Sequence, residues 1–364
     1  MSLFLRTMLW PALAGLLAAL LILDRWVLPQ TSAAAINNSP PGFRQAVATA
    51  TPSVVNIYTA RSVTDRRTLR RSNPFMPIPP GVPRQRIERS LGSGVIMREN
   101  GYLLTNYHVI QGAEAIQVLL SDGRTLAATV VGTDQSLDLA ALRVDLEDLT
   151  HIPLANSDTL SVGDVVLAIG NPLGFGHSVT QGIVSGLGRM MFNLGAYEGY
   201  IQTDAVIHPG SSGGALVDSS GALGGINTLI YTSSEGRSSG NVGIGISLAI
   251  PSNIAEYAMN DLIRYGRVIR GWLGVEVELL PERDTRGQRL LVLGVSSDGP
   301  AERAGLRAGD VITHIADEPV NDVRLSMLDV EMLRPGDRLK VTVAREGDVM
   351  DFDAIVGAEP ESES

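Results

Sequence analysis

The stretch DAVIHPGSSGGAL, from Asp204 to Leu216, has a composition suited to nucleophilic chemistry by a serine hydroxyl. It sets Ser211 and Ser212 between Gly210 and the pair Gly213-Gly214. Glycine-rich backbone is unfavourable in helices and strands, but it can bend so that a hydroxyl and two N–H groups face one point. Such a point could serve a serine nucleophile, with the N–H groups of Gly210 and Ser212 stabilising a developing oxyanion. Because glycine–serine loops are common, the stretch needs partners elsewhere in the chain.

A serine nucleophile needs a base, and a histidine is the usual one. His108 ends the apolar run YLLTNYHVI, and a strand end is a rigid place to hold an imidazole. His208 lies four residues before Ser212 on the same loop, which favours an ordinary surface position. The histidines of the chain are His108, His151, His177, His208 and His314. Of these, His108 is the predicted base.

The imidazole in turn needs a carboxylate that fixes its tautomer. Asp138 interrupts the apolar run SLDLAAL, where a half-buried carboxylate needs a partner. A turn acid before a strand is the alternative for such a position, and Asp134 fits that description better. The residues therefore predict the order His108, Asp138, Ser212.

Short strands must hold these groups in place. Two sets of strand-like segments, separated by turn residues, run over residues 53–144 and 164–250. Many short strands with glycine-rich turns predict an all-β protein, either a sandwich or barrels. Residues 62–88 are rich in proline and arginine and predict a long surface loop within the first set.

A helix is predicted after Pro251, in the segment SNIAEYAMNDLIRYG. Asn253 can cap its start, its apolar residues recur on one face, and Gly266 ends it. This helix connects the first unit to a second strand-rich unit over residues 267–357.

Composition excludes several classes of function. The chain has 364 residues, enough for more than one domain, and a net charge of −10. This acidic balance argues against nucleic acid as a partner. The absence of cysteine excludes disulfides, cysteine-ligated zinc and a thiol nucleophile.

The N-terminus predicts a membrane anchor over residues 1–29. The uncharged run TMLWPALAGLLAALLIL, Thr7 to Leu23, approaches the length that spans a bilayer. Arg6 precedes it and favours an orientation with the rest of the chain outside the cytoplasm. A cleaved signal peptide with an A-x-A site at 33–35 is the alternative. Residues 30–41 predict a linker, and residues 358–364 an acidic tail.

Four segments together resemble the HtrA/Deg family of serine proteases: TNYHVI, SLDLAAL, AIGNPLGFGHSVTQGIVS and IQTDAVIHPGSSGGALVDSSG. The resemblance extends from about Ala46 to Val356. It implies an all-β dominated fold, with a chymotrypsin-like double β-barrel protease domain at 42–258 and a C-terminal PDZ domain at 259–357. The segments RGWLGVEV and AGLRAGDVI are typical of a PDZ domain. An N-terminal transmembrane helix with one PDZ domain resembles the membrane-anchored DegS/AlgW type.

The resemblance also implies roles for single residues. It assigns the catalytic triad to His108, Asp138 and Ser212, and the oxyanion hole to the N–H groups of Gly210 and Ser212. It further implies an arginine that relays a regulatory signal, a P1 pocket for a small apolar side chain such as valine, and a PDZ strand that receives a peptide and its carboxylate. The implied arginine is Arg189. The implied P1 pocket is formed by Asn227, Thr228 and Leu229. The implied PDZ strand consists of Leu273, Gly274, Val275, Glu276 and Val277.

A homotrimer on the inner membrane is implied as well, with its catalytic and PDZ domains in the periplasm and with no metal or cofactor. Its implied activity is the first periplasmic cut in a membrane-bound anti-sigma factor. The implied signal is the binding of C-terminal peptides of misfolded outer-membrane proteins to the PDZ domain. A broad periplasmic quality-control protease is the alternative within the class, and a non-catalytic peptide-binding scaffold is the alternative outside it. A complete triad argues against the scaffold.

Two residues depart from the family's usual Asn-Pro-Gly-Asn-Ser run, namely His208 and Ser211. Neither change removes a triad member or an N–H donor. Ser212 is the expected nucleophile because it directly precedes Gly213-Gly214.

Overall fold

The computed structural model describes residues 42–65, 84–172, 176–189, 199–230, 246–280, 289–320 and 323–358, with the single positions 16 and 360. Residues 1–44 and residues 45–364 form two separate compact units. The expected anchor, apart from position 16, and the linker at 30–41 lie outside the described residues. Within the described ranges, no helix has both the length and the apolar character that a membrane crossing requires.

Strands dominate the described ranges. They are β1 (Val54–Asp65), β2 (Arg84–Ile96), β3 (Tyr102–Thr105), β4 (Ala115–Leu119), β5 (Thr125–Asp134), β6 (Leu139–Val144), β7 (Val165–Gly170), β8 (Ser178–Arg189), β9 (Tyr200–Thr203), β10 (Ala215–Asp218), β11 (Leu223–Ile230), β12 (Ser247–Pro251), β13 (Gly271–Trp272), β14 (Val275–Leu280), β15 (Arg289–Val295), β16 (Val311–Ile315), β17 (Glu318–Pro319), β18 (Arg338–Arg345), β19 (Asp348–Ile355) and β20 (Gly357–Ala358). The α-helices are α1 (Arg44–Ala50), α2 (Tyr107–Ile110), α3 (Ser252–Tyr265), α4 (Pro300–Ala304) and α5 (Val323–Glu331). Single 3₁₀ turns cover Thr51–Ser53 and Ser157–Thr159.

The first barrel closes in the order β1-β2-β3-β6-β5-β4. Strands β3 and β6 are buried at almost every position, while β4 and β5 alternate between inside and outside with the period of two of a half-buried strand. In β4, for example, Ile116 and Val118 are buried while Ala115 and Gln117 are exposed. The predicted surface loop over 62–88 is wrong at both ends, because β1 and β2 continue as a paired ribbon to the pair Asp65–Arg84.

The second barrel closes in the order β10-β11-β12-β9-β8-β7. Its core contains Val166, Val184, Ile201, Leu216 and Ala249, each nearly or fully buried. Every neighbouring pair in both barrels is antiparallel, so short turns suffice to connect most of them. The predictions of an all-β dominated fold and of a chymotrypsin-like double barrel are confirmed.

Helix α3 follows the last barrel strand and ends where predicted. Gly266 adopts a left-handed conformation (φ 73°) and its N–H donates to the carbonyl of Leu262 at 3.0 Å. The predicted start is wrong, because the cap position is Pro251. The side chain of Asn253 instead donates to Asn156 at 2.7 Å and so ties the helix to the loop before β7. The expected boundary between the domains, at 258/259, falls within this helix.

The PDZ domain forms a sheet in the order β14-β15-β16-β18-β19, with β17 on β16, and a separate pair β13-β20. Its core contains Leu290, Val292, Ile312, Val341 and Val343, all nearly or fully buried. Strand β14 lies at the edge of the sheet. Its free side is therefore open to the addition of an extended peptide.

An ion pair fastens the PDZ domain to helix α3. Asp261 is almost completely buried, and its carboxylate accepts from the Arg334 guanidinium at 2.6 Å and from the Ile269 N–H at 2.9 Å. The hydrogen bond to Asp261 raises the pKa of Arg334. The guanidinium also lies 4.0 Å from the centre of the Tyr257 ring. These contacts satisfy a buried charge that would otherwise be costly.

We expect Arg334→Ala to destabilise the protein by about 2 kcal/mol, because it leaves the Asp261 carboxylate buried without its cation. Arg338→Ala is the matched control, since Arg338 is exposed and forms no ion pair within the described residues. Denaturant unfolding of both variants measures the difference. Equal stability of the two would show that the buried pair adds nothing to folding.

Candidate active site

His108 and Asp138 are in direct contact in the first barrel. The Nδ1 atom of His108 lies 2.7 Å from Oδ2 of Asp138, and the backbone N–H of His108 donates to Oδ1 of the same carboxylate at 3.0 Å. A carboxylate at Nδ1 selects the tautomer that carries its proton there. The imidazole therefore presents Nε2 as the free base.

The local backbone explains why this pair forms. Strand β3 ends at Thr105 and the short helix α2 presents His108 just beyond it. Asp138 ends the turn between β5 and β6 in a left-handed conformation (φ 53°), which a short polar residue tolerates. Its carbonyl accepts the N–H of Tyr107 at 3.0 Å and the side-chain amide of Asn106 at 3.0 Å. Backbone and side chain of Asp138 thus both hold the segment that carries the imidazole.

Asp134 is a turn acid, as its position predicts. Its Oδ1 atom accepts the N–H of Leu137 at 2.8 Å and shapes the turn that leads to Asp138. The same atom accepts from the guanidinium of Arg270 at 2.7 Å. Because Arg270 immediately precedes β13, this ion pair joins the start of the PDZ domain to the turn that carries Asp138.

Thr228 links the Asp138 carboxylate to Ser212. Its hydroxyl donates to Oδ2 of Asp138 at 2.8 Å, while its carbonyl accepts from the Ser212 hydroxyl at 3.0 Å. In the described part of the chain, no hydrogen bond joins His108 to Ser212. Asp138 and Ser212 therefore meet at one residue of β11, and His108 is connected to it through Asp138, but the serine hydroxyl bonds to the backbone of the second barrel.

The nucleophile loop begins with a type II β-turn. The N–H of Ser211 donates to the carbonyl of His208 at 2.9 Å, and Gly210 in the third position has φ 96°. This turn type favours proline second and requires a residue tolerant of positive φ third, which Pro209 and Gly210 provide. The run His-Pro-Gly-Ser therefore specifies the turn.

Most backbone N–H groups of this loop donate a hydrogen bond to a carbonyl of the protein. Ser211, Gly213 and Gly214 donate to the carbonyls of His208, Asn227 and Ser211, at 2.9, 2.8 and 3.0 Å. Proline has no N–H. Between residues 209 and 214, only the N–H groups of Gly210 and Ser212 have no hydrogen-bond acceptor among the described residues. They are the two groups that the sequence predicts as oxyanion donors.

Tyr200 lies close to the Asp138 carboxylate and is almost fully buried. Burial, and to a smaller extent the negative charge of Asp138, raises the pKa of Tyr200 well above its usual value. The phenol therefore stays neutral next to the carboxylate across the physiological range.

The other histidines lie apart from this site or contact other groups. His177 bonds to the carbonyl of Val54 at 2.8 Å, and His314 contacts the hydroxyl of Thr313 in the PDZ domain. His151 lies on the surface near Glu99. His208 is exposed in the turn before Ser212, as predicted.

The residues predicted to form the P1 pocket are placed as follows. Asn227 is fully buried and its amide donates to the carbonyls of Ile169 and Ala215, at 3.2 and 3.0 Å. Thr228 is almost fully buried on Asp138, and the side chain of Leu229 lies outside the described residues. Asn227 and Thr228 therefore use their side chains within the protein, and their part in a P1 pocket stays a prediction. Arg189 ends β8, and its side chain also lies outside the described residues.

The PDZ segment predicted to bind a peptide carboxylate begins at Leu273 and Gly274. The carbonyls of Leu273 and Gly274 accept from Ala301 and Ser296, at 2.9 and 2.8 Å. The N–H groups of Leu273 and Gly274 have no acceptor in the described ranges. Gly274 has φ 75°, and a Cβ there would lie 3.0 Å from the Trp272 ring. Beyond it, Val275 and Val277 are half-buried while Glu276 points to solvent.

Sequence reasoning missed four residues that hold the site together: Ser93, Thr105, Asn106 and Thr228 in its role on Asp138. Thr105 and Asn106 directly precede the base in TNYH, and Ser93 stands alone between two glycines in GSG. Small polar residues inside apolar strands are the available signal, because a buried polar group needs a partner.

The comparisons with known proteins agree with this architecture. A trypsin-like peptidase domain matches residues 92–226 and a PDZ domain matches residues 271–356. Serine endoprotease DegS of Haemophilus influenzae is 36% identical over 352 residues, covering 95% of this chain and 96% of that protein. A probable periplasmic serine endoprotease, DegP-like, of Pseudomonas savastanoi pv. phaseolicola is 40% identical, covering 95% of this chain and 75% of its own length.

Among solved structures, the HtrA-type protease AlgW with a decapeptide superposes with a TM-score of 0.69 at 44% identity, covering 88% of this chain and 99% of that one. Two closed barrels around a serine, a histidine and an aspartate, followed by a PDZ domain, define a trypsin-like serine endoprotease. The chain belongs to the HtrA family of serine proteases, as its similarity to DegS and AlgW shows.

We expect Thr228→Val to lower kcat/KM about tenfold. It removes a hydrogen bond to a carboxylate but keeps the backbone carbonyl that holds Ser212. Thr125→Val on exposed β5 is the matched control. Turnover of fluorescently labelled casein measures both variants. A kcat/KM for Thr228→Val equal to that of the control would show that the hydroxyl is dispensable for the aspartate.

Proposed function

We propose that the protein is a regulated endopeptidase of the DegS/AlgW type. In this proposal Ser212 attacks the scissile carbonyl, His108 takes its proton at Nε2, and Asp138 holds and stabilises the imidazolium. The N–H groups of Gly210 and Ser212 stabilise the oxyanion. The observation that carries the proposal is the bonded His108–Asp138 pair, joined through Thr228 to a loop in which the N–H groups of Gly210 and Ser212 have no acceptor among the described residues.

The position of the Ser212 hydroxyl supports regulation. It donates to the carbonyl of Thr228 at 3.0 Å rather than to His108. Catalysis requires the hydroxyl to leave this acceptor and to bond to Nε2 of His108. A resting molecule with its nucleophile bonded elsewhere suits an enzyme that acts only after a signal shifts its population.

The signal in this proposal is a peptide on the PDZ domain. A C-terminal carboxylate binds the free N–H groups of Leu273 and Gly274, and the peptide adds to the open edge of β14, alongside Val275, Glu276 and Val277. Unfolded outer-membrane proteins would provide such C-termini. Arg189, at the end of β8, would relay the binding to the catalytic loops. The solved relatives include AlgW bound to a decapeptide and to a tripeptide, which supports peptide binding.

The proposed substrate and location rest on the resemblance to the DegS/AlgW type. The proposed substrate is the periplasmic domain of a membrane-bound anti-sigma factor, cut first by this enzyme. The proposed enzyme is a homotrimer held in the inner membrane by residues 1–29, with both domains in the periplasm. The DegS of Haemophilus influenzae is matched over 96% of its own length, which favours this narrow role.

A broad periplasmic quality-control protease is the second candidate. It is favoured by the several DegP-like relatives at 39–40% identity, of which the chain covers about three quarters. Cleavage of unfolded casein at a rate equal to that of an anti-sigma periplasmic domain would favour this candidate over the narrow role.

We expect Ser212→Ala to abolish proteolysis and fluorophosphonate labelling, because it removes the hydroxyl of the proposed nucleophile, the one that directly precedes Gly213-Gly214. Ser220→Ala, an exposed serine in the turn before β11, is the control and retains both. Substantial proteolysis by Ser212→Ala would refute the assignment. The absence of labelling in the wild type, with and without a C-terminal peptide, would favour the non-catalytic scaffold.

We expect a synthetic peptide ending in a free aromatic carboxylate to raise the rate of fluorophosphonate labelling. The same peptide with an amidated C-terminus is the control, because it lacks the charged carboxylate that accepts hydrogen bonds from the two N–H groups of the PDZ loop. Labelling rates with increasing peptide measure the effect. Equal stimulation by the two peptides would contradict recognition of the carboxylate.

A further inference from the structure

Ser93 lies at the seam between the two barrels. Its backbone N–H, its carbonyl and its hydroxyl all form hydrogen bonds. It is fully buried in β2 of the first barrel. Its N–H donates to the carbonyl of Ser212 at 2.8 Å, and its own carbonyl accepts the hydroxyl of Thr105 at 2.7 Å. Its hydroxyl donates to the carbonyl of Gly210 at 2.7 Å and accepts the N–H of Asn171 at 3.0 Å.

These bonds hold the peptide units on both sides of the reacting group. The bond from Oγ of Ser93 fixes the carbonyl of Gly210, and the bond from its N–H fixes the carbonyl of Ser212. Between them lies the peptide that carries the free N–H of Ser212. A change in the turn at Gly210 that rotated its carbonyl would break the bond to the Ser93 hydroxyl.

The neighbouring glycines show how tightly this contact is built. A Cβ at Gly213 would lie 2.2 Å from the Ser93 carbonyl oxygen and 2.4 Å from the Thr105 hydroxyl. A Cβ at Gly92 would lie 2.4 Å from the side chain of Val109, the residue after the base. The segment around Ser93 is therefore closely packed against Gly213 on the nucleophile loop and, through Gly92, against Val109 beside the base.

We propose that Ser93 is a positioning residue for the oxyanion hole: its hydroxyl keeps the Gly210 carbonyl turned away, so that the N–H groups of Gly210 and Ser212 converge. This inference rests on the proposed function, because it needs Ser212 as the nucleophile. Ser93 touches neither substrate nor the reacting atoms and acts only through the loop. The N–H of Asn171 completes its hydroxyl's hydrogen bonds and couples the loop after β7 to the same turn.

The test is Ser93→Ala, which removes the hydroxyl but keeps the backbone bond to Ser212. With the C-terminal peptide present, we expect kcat on a labelled anti-sigma periplasmic domain to fall about 10- to 100-fold with KM within about twofold, a loss approaching that of an oxyanion donor. The affinity for a peptide boronate with valine at P1, which forms a tetrahedral adduct, falls by the same factor. Binding of the C-terminal peptide to the PDZ domain stays unchanged.

Ser53→Ala is the matched control. Ser53 is also a fully buried serine of the first barrel, but its hydroxyl has no hydrogen-bond partner in the described part of the chain. We expect its kcat, KM and boronate affinity to equal those of the wild type. Ser93→Cys keeps the side-chain volume with a weaker donor, and we expect its kcat to lie between those of the wild type and Ser93→Ala.

A melting temperature lowered in Ser93→Ala, with unchanged kcat and boronate affinity, would overturn the proposal and leave Ser93 a structural residue. If Ser93→Ala does not fold, Ser93→Cys decides the matter, and a wild-type kcat and boronate affinity in that variant would overturn it. Loss of labelling in Ser212→Ala, measured in parallel, establishes the nucleophile independently. A failure of the Ser93 proposal is thereby distinguishable from a failure of the proposed function.

Discussion

The close approach of two backbones, at Gly213 in one barrel and Ser93 in the other, is the constraint on which the site depends. A side chain on Gly213 would overlap the Ser93 carbonyl, so the barrels can dock only through bare backbone. The residues on either side of this contact are those proposed to do the chemistry. Thr105, three residues before the imidazole, bonds to Ser93, and Ser212 bonds to Ser93 as well. The distance between base and nucleophile is therefore set by main-chain packing and not by flexible side chains.

Thr228 divides the site into a fixed half and a movable half. Its hydroxyl donates a further hydrogen bond to the Asp138 carboxylate. Because that carboxylate already holds His108 through two hydrogen bonds, the imidazole has little freedom. Its carbonyl holds the Ser212 hydroxyl, a group that changes partner by rotation about a single bond. The fixed half therefore needs no adjustment before catalysis, and the movable half requires only a small one. In the proposed mechanism, regulation acts on a single torsion and on the turn that carries the two N–H groups.

Much of this arrangement could be predicted from the sequence, because local signals specify it. The run His-Pro-Gly-Ser encodes its turn, Gly266 encodes the end of α3, and alternating burial encodes the barrel strands. The extent of β1 and β2 could not be predicted, because their pairing outweighs the proline and arginine content between them. Asn253 bonds to Asn156 instead of capping its helix, which depends on a contact nearly a hundred residues away. Ser93 and Thr228 share that difficulty, since their partners lie on the other barrel.

The division of the site between the two barrels also determines when the site can form during folding. The imidazole and its acid belong to the first barrel, while the nucleophile and both free N–H groups belong to the second. A molecule with only one barrel formed holds at most half of the machinery, and even two formed barrels lack it until they dock. A newly made or partly unfolded copy therefore cannot assemble the proposed triad until both barrels have folded and docked.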